Sequence, residues 1–468
     1  MQTNRATLTH RKPDTGTFFL GGVMSEKQDE ANEHIPQHSH HHACANLFGC
    51  GDVKGIGIFR EDIKDRAFED IASDRLLHMD EVDQENLDNY LTARGRWRRK
   101  FLRASTFMGA LAAVDPWFAK LARAGQSDNT ARKRESDQSE GHVHVVPSTK
   151  ETVQLGVYDT NLPPIITIDS GDSISFPETW SHFLNELQPG VPIATVAKLR
   201  MNNPGKGPQS MIGPVAVNKA EPGDVLEIRY KRIRPYEWGA VFNNPAALGT
   251  GLLPQDYPQG QIKYVDLDLR TMKSTFLPNI SIPLKPFQGT LGVAPPDSYF
   301  PPLSPGVTNA IPPGPHAGNL DLNELSEGST LYIPVWKPGA FIYTGDTHAA
   351  QGDGEICLTG IETRLRELRI QVLLHKQRPL AWPVAETDTH WITMGLDKDL
   401  NAAMTVAARN AIKFLAAQAR ISKLDAYALC SIAVSFRVTQ VVDIVRGVHA
   451  LIPKNIFASQ LRQQMTMV

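Results

Sequence analysis

Residues 339–359 read GAFIYTGDTHAAQGDGEICLT. An apolar, aromatic run at 339–344 and a second apolar run at 356–359 bracket the densest polar cluster of the later part of the chain. Short runs of this kind, punctuated by glycine, read as two strands joined by a loop. Four ionisable groups fall in that loop, Asp346, His348, Asp353 and Glu355, while Gly345, Gly352 and Gly354 let the backbone turn tightly. An imidazole and three carboxylates this close together can offer two or three ligands to a zinc-like ion and leave one carboxylate as a general base. The same spacing also suits a polar hairpin around a satisfied histidine, and by itself it names no substrate.

Outward from this stretch, β-branched runs alternate with Pro- and Gly-marked turns: 165–168, 173–176, 225–233, 263–267, 331–335 and 368–374. These read as strands. Helical patterning is concentrated late, where 399–419 is Ala-rich and 422–435 opens on a serine suited to capping. The fold class expected is therefore mainly β, a β-rich α+β domain with C-terminal helices over residues 141–457, followed by a tail at 458–468. Residues 299–315, YFPPLSPGVTNAIPPGP, hold too many prolines and glycines for regular structure and read as a loop near the pocket or at an outer contact.

The first 140 residues have a different texture and read as an irregular or helical extension. Within 1–95 lies a His-rich tract, IPQHSHHHACANLFGCG at 35–51, which can bind a divalent metal or simply be solvated. Within 96–140, Trp97-Arg98-Arg99-Lys100-Phe101-Leu102-Arg103 resembles a twin-arginine export signal set unusually far from the start, or else a basic amphipathic helix; a mobile linker at 124–140 follows. Cytoplasmic and exported locations both remain open. The 48 basic and 50 acidic residues give a net charge of −2, so no global field draws the chain to nucleic acid or an anionic membrane. No apolar run is long enough for a stable membrane span. Four cysteines, Cys44, Cys50, Cys357 and Cys430, do not make a disulfide framework, and the apolar surroundings of the last two predict buried thiols.

The string GDTHAAQGDGE at 345–355 resembles the hallmark of the acetamidase/formamidase family. Further blocks follow in matching order: AEPGDVL at 220–226, PFQGTLGVAP at 286–295, AGNLD at 317–321, GSTLYIPV at 328–335, DAY at 425–427 and VTQVVD at 438–443. The resemblance covers residues 141–457, roughly two-thirds of the chain. It implies a β-rich fold, hydrolysis of formamide, acetamide or a similar short amide to carboxylate and ammonia, a divalent metal with zinc the first choice, and a homo-oligomer. Carried over by position, His348, Asp346 and Glu355 become the metal ligands. Glu355 and Asp353 become the catalytic carboxylates, and Asn319, Asp321, Thr347 and Gln351 the substrate-binding residues. An Asx-type turn after Gly318 is the plainer reading of Asn319 and Asp321. Amide hydrolysis needs such equipment, because water must be activated and a poor leaving nitrogen protonated; a Lewis-acid metal lowers the pKa of water toward ~7.

Two departures qualify the resemblance. Gln154 and Gln209 stand where relatives carry histidine, and His142, His144 or His182 would have to compensate. The departures favour a hydrolase of another carbon–nitrogen substrate, a substituted amide or imide, on the same scaffold. A non-catalytic metal- or ligand-binding envelope protein is the further alternative.

Overall fold

A computed structural model describes residues 141–378 and 380–468. The His-rich tract, the twin-arginine-like segment and the linker lie outside them.

Two large sheets, both mostly antiparallel, make up the fold. The first has nine strands in the order Val143–Val145, Ser173–Pro177, Leu365–His375, Val225–Pro235, Thr330–Pro334, Val384–Glu386, His390–Asp397, Arg446–Pro453 and Ser435–Gln440. The second runs Ile280–Pro283, Lys273–Leu277, Gln261–Asp268, Trp238–Asn243, Glu362–Thr363, Ile342–His348, Phe287–Gly292 and Ala317–Asn319. Ser210–Val217 also pairs with Ile342–His348 and carries Val153–Leu155 and Ile166–Ile168. One continuous apolar cluster joins the sheets: Ile212, Val215, Leu291 and Ile342 from the second meet Leu226, Ile228, Leu331, Ile333, Leu368 and Ile370 from the first. This burial is the main stabilising term of the fold, at about 25 cal/mol per Å² of apolar surface removed from water.

All six strand runs read from the sequence are strands, most of them longer than the apolar run alone marks. Both late helices form as well. Asp399 caps Leu400–Ala419 by accepting from the Ala402 amide at 2.9 Å, and Ser422 caps Lys423–Ala433 by accepting from the Asp425 amide at 3.0 Å. Ala403, Ala407, Ala411, Leu415 and Ala419 recur every four residues as a buried stripe that lays the longer helix on strand His390–Asp397.

Three features differ from the sequence reading. A nine-residue helix, Ile193–Met201, starts after Pro192 and buries only Val196 and Ala197, which leaves almost no amphipathic signal. The expected strand at 356–359 is a turn, so Ile356 is half exposed and Cys357 is exposed rather than buried, whereas Cys430 is buried as expected. The last residues fold back, with helix Ser459–Gln464 and Met465 and Met467 packed against the C-terminal helices. Among the described residues no helix is long and apolar enough to cross a membrane.

Candidate active site

The strand Ile342–His348 runs four residues past the apolar stretch that marks it, so Asp346 and His348 stand on a strand, not in a loop. Alternation along it sends Asp346 and His348 to one face and Thr347 to the other, where its hydroxyl donates to Gln288 Oε1 at 2.9 Å. The neighbouring strand places Glu362 directly opposite His348. His182, in the short helical turn His182–Asn185, reaches in from the other side.

These four side chains meet at ion-pair distances. His348 Nε2 lies 3.0 Å from Glu362 Oε1 and 3.3 Å from Asp346 Oδ1. His182 Nε2 lies 3.2 Å from Glu362 Oε2 and 3.3 Å from Asp346 Oδ1. Asp321, Glu355 and Asp443 extend the cluster. Five carboxylates and two imidazoles thus share one buried site. Three of the acids, Asp321, Asp346 and Glu355, hold left-handed φ values of 50°, 63° and 48°. Such conformations cost a non-glycine residue free energy and concentrate where a side chain has to be aimed.

Supporting hydrogen bonds fix the aim. His348 Nδ1 bonds Gln351 Oε1 at 2.6 Å, and Gln351 Nε2 donates to the Asp321 carbonyl at 3.0 Å. Gln351 therefore orients His348 from behind. Gln209 Nε2 donates to Asn319 Oδ1 at 3.1 Å, and the Thr290 hydroxyl contacts that same oxygen and lies 3.0 Å from Asp346 Oδ2. Asp353 is displaced from the centre: it accepts from Asn323 Nδ2 at 2.8 Å and lies 3.6 Å from Arg437, at the surface. Gln154 bonds the Gly213 carbonyl and is not part of the cluster.

Burial and neighbouring charge shift the groups of the site in opposite directions. Burial works against the charge on Glu362, yet His348 and His182 outweigh it and keep this carboxyl below its ordinary range. Burial likewise opposes charge on both imidazoles, but Glu362 and Asp346 raise their pKa values. At the other end, burial and then the charge of Asp346 push Asp321 up to about 7. Burial and the neighbouring acids push Glu355 and Asp443 up as well. Glu355 Oε2 and Asp443 Oδ2 are buried with no hydrogen-bond donor. Several sets of three of these seven residues bring their ligand atoms within 4.8 Å of one another, among them His182, Asp346 and Glu362. Nitrogen and carboxylate donors in that mixture suit a divalent ion of zinc type.

A cavity of about 260 Å³ opens over the cluster. Its walls are largely apolar, with Phe183, Phe242, Leu248, Ile311, Leu358 and Ile444, and Arg200, Asn244 and Thr250 supply polar groups. Ile311 comes from the Pro-rich stretch at 299–315, which is irregular apart from one short strand, Val307–Asn309. Asn319, Asp321, Asp346, His348 and Glu355 line this cavity, whereas Thr347, Gln351 and Asp353 do not. Glu362 and Asp443, which the sequence reading did not assign, do line it, as does His182, there only a possible substitute ligand. Asp443 ends the block 438–443, so a signal existed for it; His182 is marked only as a possible substitute for the two missing histidines, and Glu362 had no signal.

This geometry defines a two-sheet β protein with a buried carboxylate–imidazole centre at the floor of a mostly apolar cavity. Residues 157–301 and 304–459 match the model of the acetamidase/formamidase family, and the chain belongs to that family. It is 25% identical over 316 residues to a formamidase of Methylophilus methylotrophus, a match covering 53% of this chain and 77% of that protein. It is 26% identical over 198 residues to an acetamidase of Mycolicibacterium smegmatis, covering 32% and 49%. The chain spans about half the length of that acetamidase and 47% of another curated relative. The crystal structure of an acetamidase from Bacillus halodurans superposes with a TM-score of 0.58 at 29% identity, covering 67% of this chain and 98% of that one.

Proposed function

We propose that the protein hydrolyses a short linear amide to its carboxylate and ammonia, with a divalent metal ion, zinc first, held by His182, His348, Asp346 and Glu362. The observation that carries this reading is the acid excess: five buried carboxylates face two imidazoles. Burying unpaired charge is costly, so the cluster calls for a cation or for bound protons, and its donor set fits the former at one end and the latter at the other. Bound there, the ion would supply Lewis-acid chemistry, polarising the amide carbonyl and acidifying water.

The chain's own groups then divide the work. Gln351 holds the His348 ring through Nδ1 and so directs Nε2 at the centre. Asn319 has its Oδ1 occupied by Gln209 and Thr290, which leaves Nδ2 to donate to the carbonyl oxygen as negative charge builds on it. Glu355, whose pKa burial and the neighbouring Asp321 and Asp443 raise, is placed to carry the proton that the departing nitrogen requires. Water is consumed, the carbon–nitrogen bond breaks, and ammonia leaves.

The test is ammonia release from formamide and acetamide by purified protein of known metal content. Activity that a chelator abolishes and zinc restores is the expected result. Turnover indifferent to chelation removes the metal, and absence of ammonia from any amide removes the reaction.

A further inference from the structure

The cavity over the cluster is larger than a four-heavy-atom amide such as acetamide requires. Its only Lys or Arg among the described residues is Arg200, in the last turn of the helix Ile193–Met201. Resting on the amide-hydrolase reading above, we infer that this enzyme takes an amide whose far end bears a carboxylate, with Arg200 as the residue that recognises that charge. The substrate class is the monoamides of short dicarboxylic acids.

Three observations lead there. Arg200 is partly buried, and its Nη1 donates to the Lys206 carbonyl. Burial lowers its pKa and no carboxylate offsets that effect, so the acid cluster is not using this charge. The Lys206 carbonyl anchors the guanidinium three residues before Gln209, whose amide reaches Asn319 at the floor. A planar guanidinium with one nitrogen tied down still presents donors to a carboxylate, often two in parallel. Phe183, Leu248 and Ile311 line the same cavity and suit the methylenes of a short chain. Placing the substrate's charge at Arg200 also keeps it away from the carboxylates that surround the amide. In the reaction water adds at the amide carbonyl and the carbon–nitrogen bond breaks. The products are the dicarboxylate and an ammonium ion, with charge conserved.

Succinamic acid and its neutral counterpart butyramide are the probes. For the unmodified protein kcat/KM is expected to favour succinamate by about tenfold or more. In Arg200→Gln this preference should collapse toward unity through a rise in KM for succinamate, and Arg200→Lys should restore part of it. Calorimetry with succinate, which is not turned over, is expected to show about tenfold weaker binding to Arg200→Gln. A preference for butyramide in the unmodified protein, or a selectivity unchanged in Arg200→Gln, overturns the inference. If no amide releases ammonia, the reaction proposed above fails and calorimetry decides this inference alone. Arg200-dependent succinate binding upholds it, and equal or absent binding in both proteins overturns it.

Discussion

His348 and Glu362 face each other across the pairing of Ile342–His348 with Glu362–Thr363, bringing Nε2 to 3.0 Å from Oε1 in a pair that is almost wholly buried. Glu362 also contacts His182, so one carboxylate ties together both imidazoles of the site. Replacing it by the isosteric amide keeps the shape and removes the charge. Glu362→Gln is expected to lower bound metal and to reduce turnover by about 100-fold or more, because removing one member of a buried charge set leaves its partners uncompensated. Elemental analysis beside ammonia release checks this; a variant that keeps both metal and rate takes Glu362 out of the centre.

Gln351 meets the ring of His348, whose Nδ1 it holds at 2.6 Å, and otherwise only the backbone carbonyl of Asp321 among the cluster residues. Gln351→Leu retains the volume and loses the acceptor, so metal affinity or activity should fall by about 10- to 100-fold with little change in melting temperature. If the loss appears only as a higher KM, Gln351 contacts substrate directly instead.

Acid stability should depend on Glu227, which does not line the cavity. Burial favours its neutral form, but hydrogen bonds from His375 and Arg229 outweigh this and hold its pKa below the ordinary value of 4.5. The folded state therefore binds this proton less tightly than the unfolded chain does. The resulting stabilisation is complete above about pH 4.5 and is lost as pH falls from there through the folded-state value. Urea midpoints of the unmodified protein and Glu227→Gln should differ at about pH 6 and draw together as pH falls below about 4.5. A difference that stays constant with pH contradicts the assignment.

Gly395 lies where strand His390–Asp397 meets the helix Leu400–Ala419. A Cβ there would stand 2.1 Å from the Ala403 carbonyl oxygen and 2.3 Å from the Ala407 nitrogen, both backbone atoms that cannot turn aside. Gly395→Ala is expected to cost about 2 kcal/mol or more in denaturant unfolding. A change below about 0.5 kcal/mol would mean that helix and sheet are less tightly apposed.

What the sequence discloses here is local. The six strand runs, the Ser422 cap and the block at 345–355 are legible because each is written in consecutive residues. The misread turn at 356–359 shows the limit. Ile-Cys-Leu-Thr is apolar and so strand-like, but Glu355 at φ 48° and Leu358 at φ 114° bend the chain there and leave Ile356 and Cys357 outside. Loop residues that read alike also separate in space. Pleating puts Asp346 and His348 in the cavity and Thr347 behind it, and Asp353 pairs with Asn323 at the surface. His182 and Glu362 meet only through sheet pairing and a short helical turn distant in sequence, a relation no window of residues contains.

The sharpest test compares kcat/KM for ammonia release by His348→Ala, at a strand end, and by Asp353→Ala, in the turn that follows, each verified as folded by circular dichroism. With the buried cluster as the reactive centre, His348→Ala should lose about 1,000-fold or more, and Asp353→Ala should stay within about twofold of the unmodified protein. An Asp353→Ala enzyme that is dead while His348→Ala remains active would contradict the account.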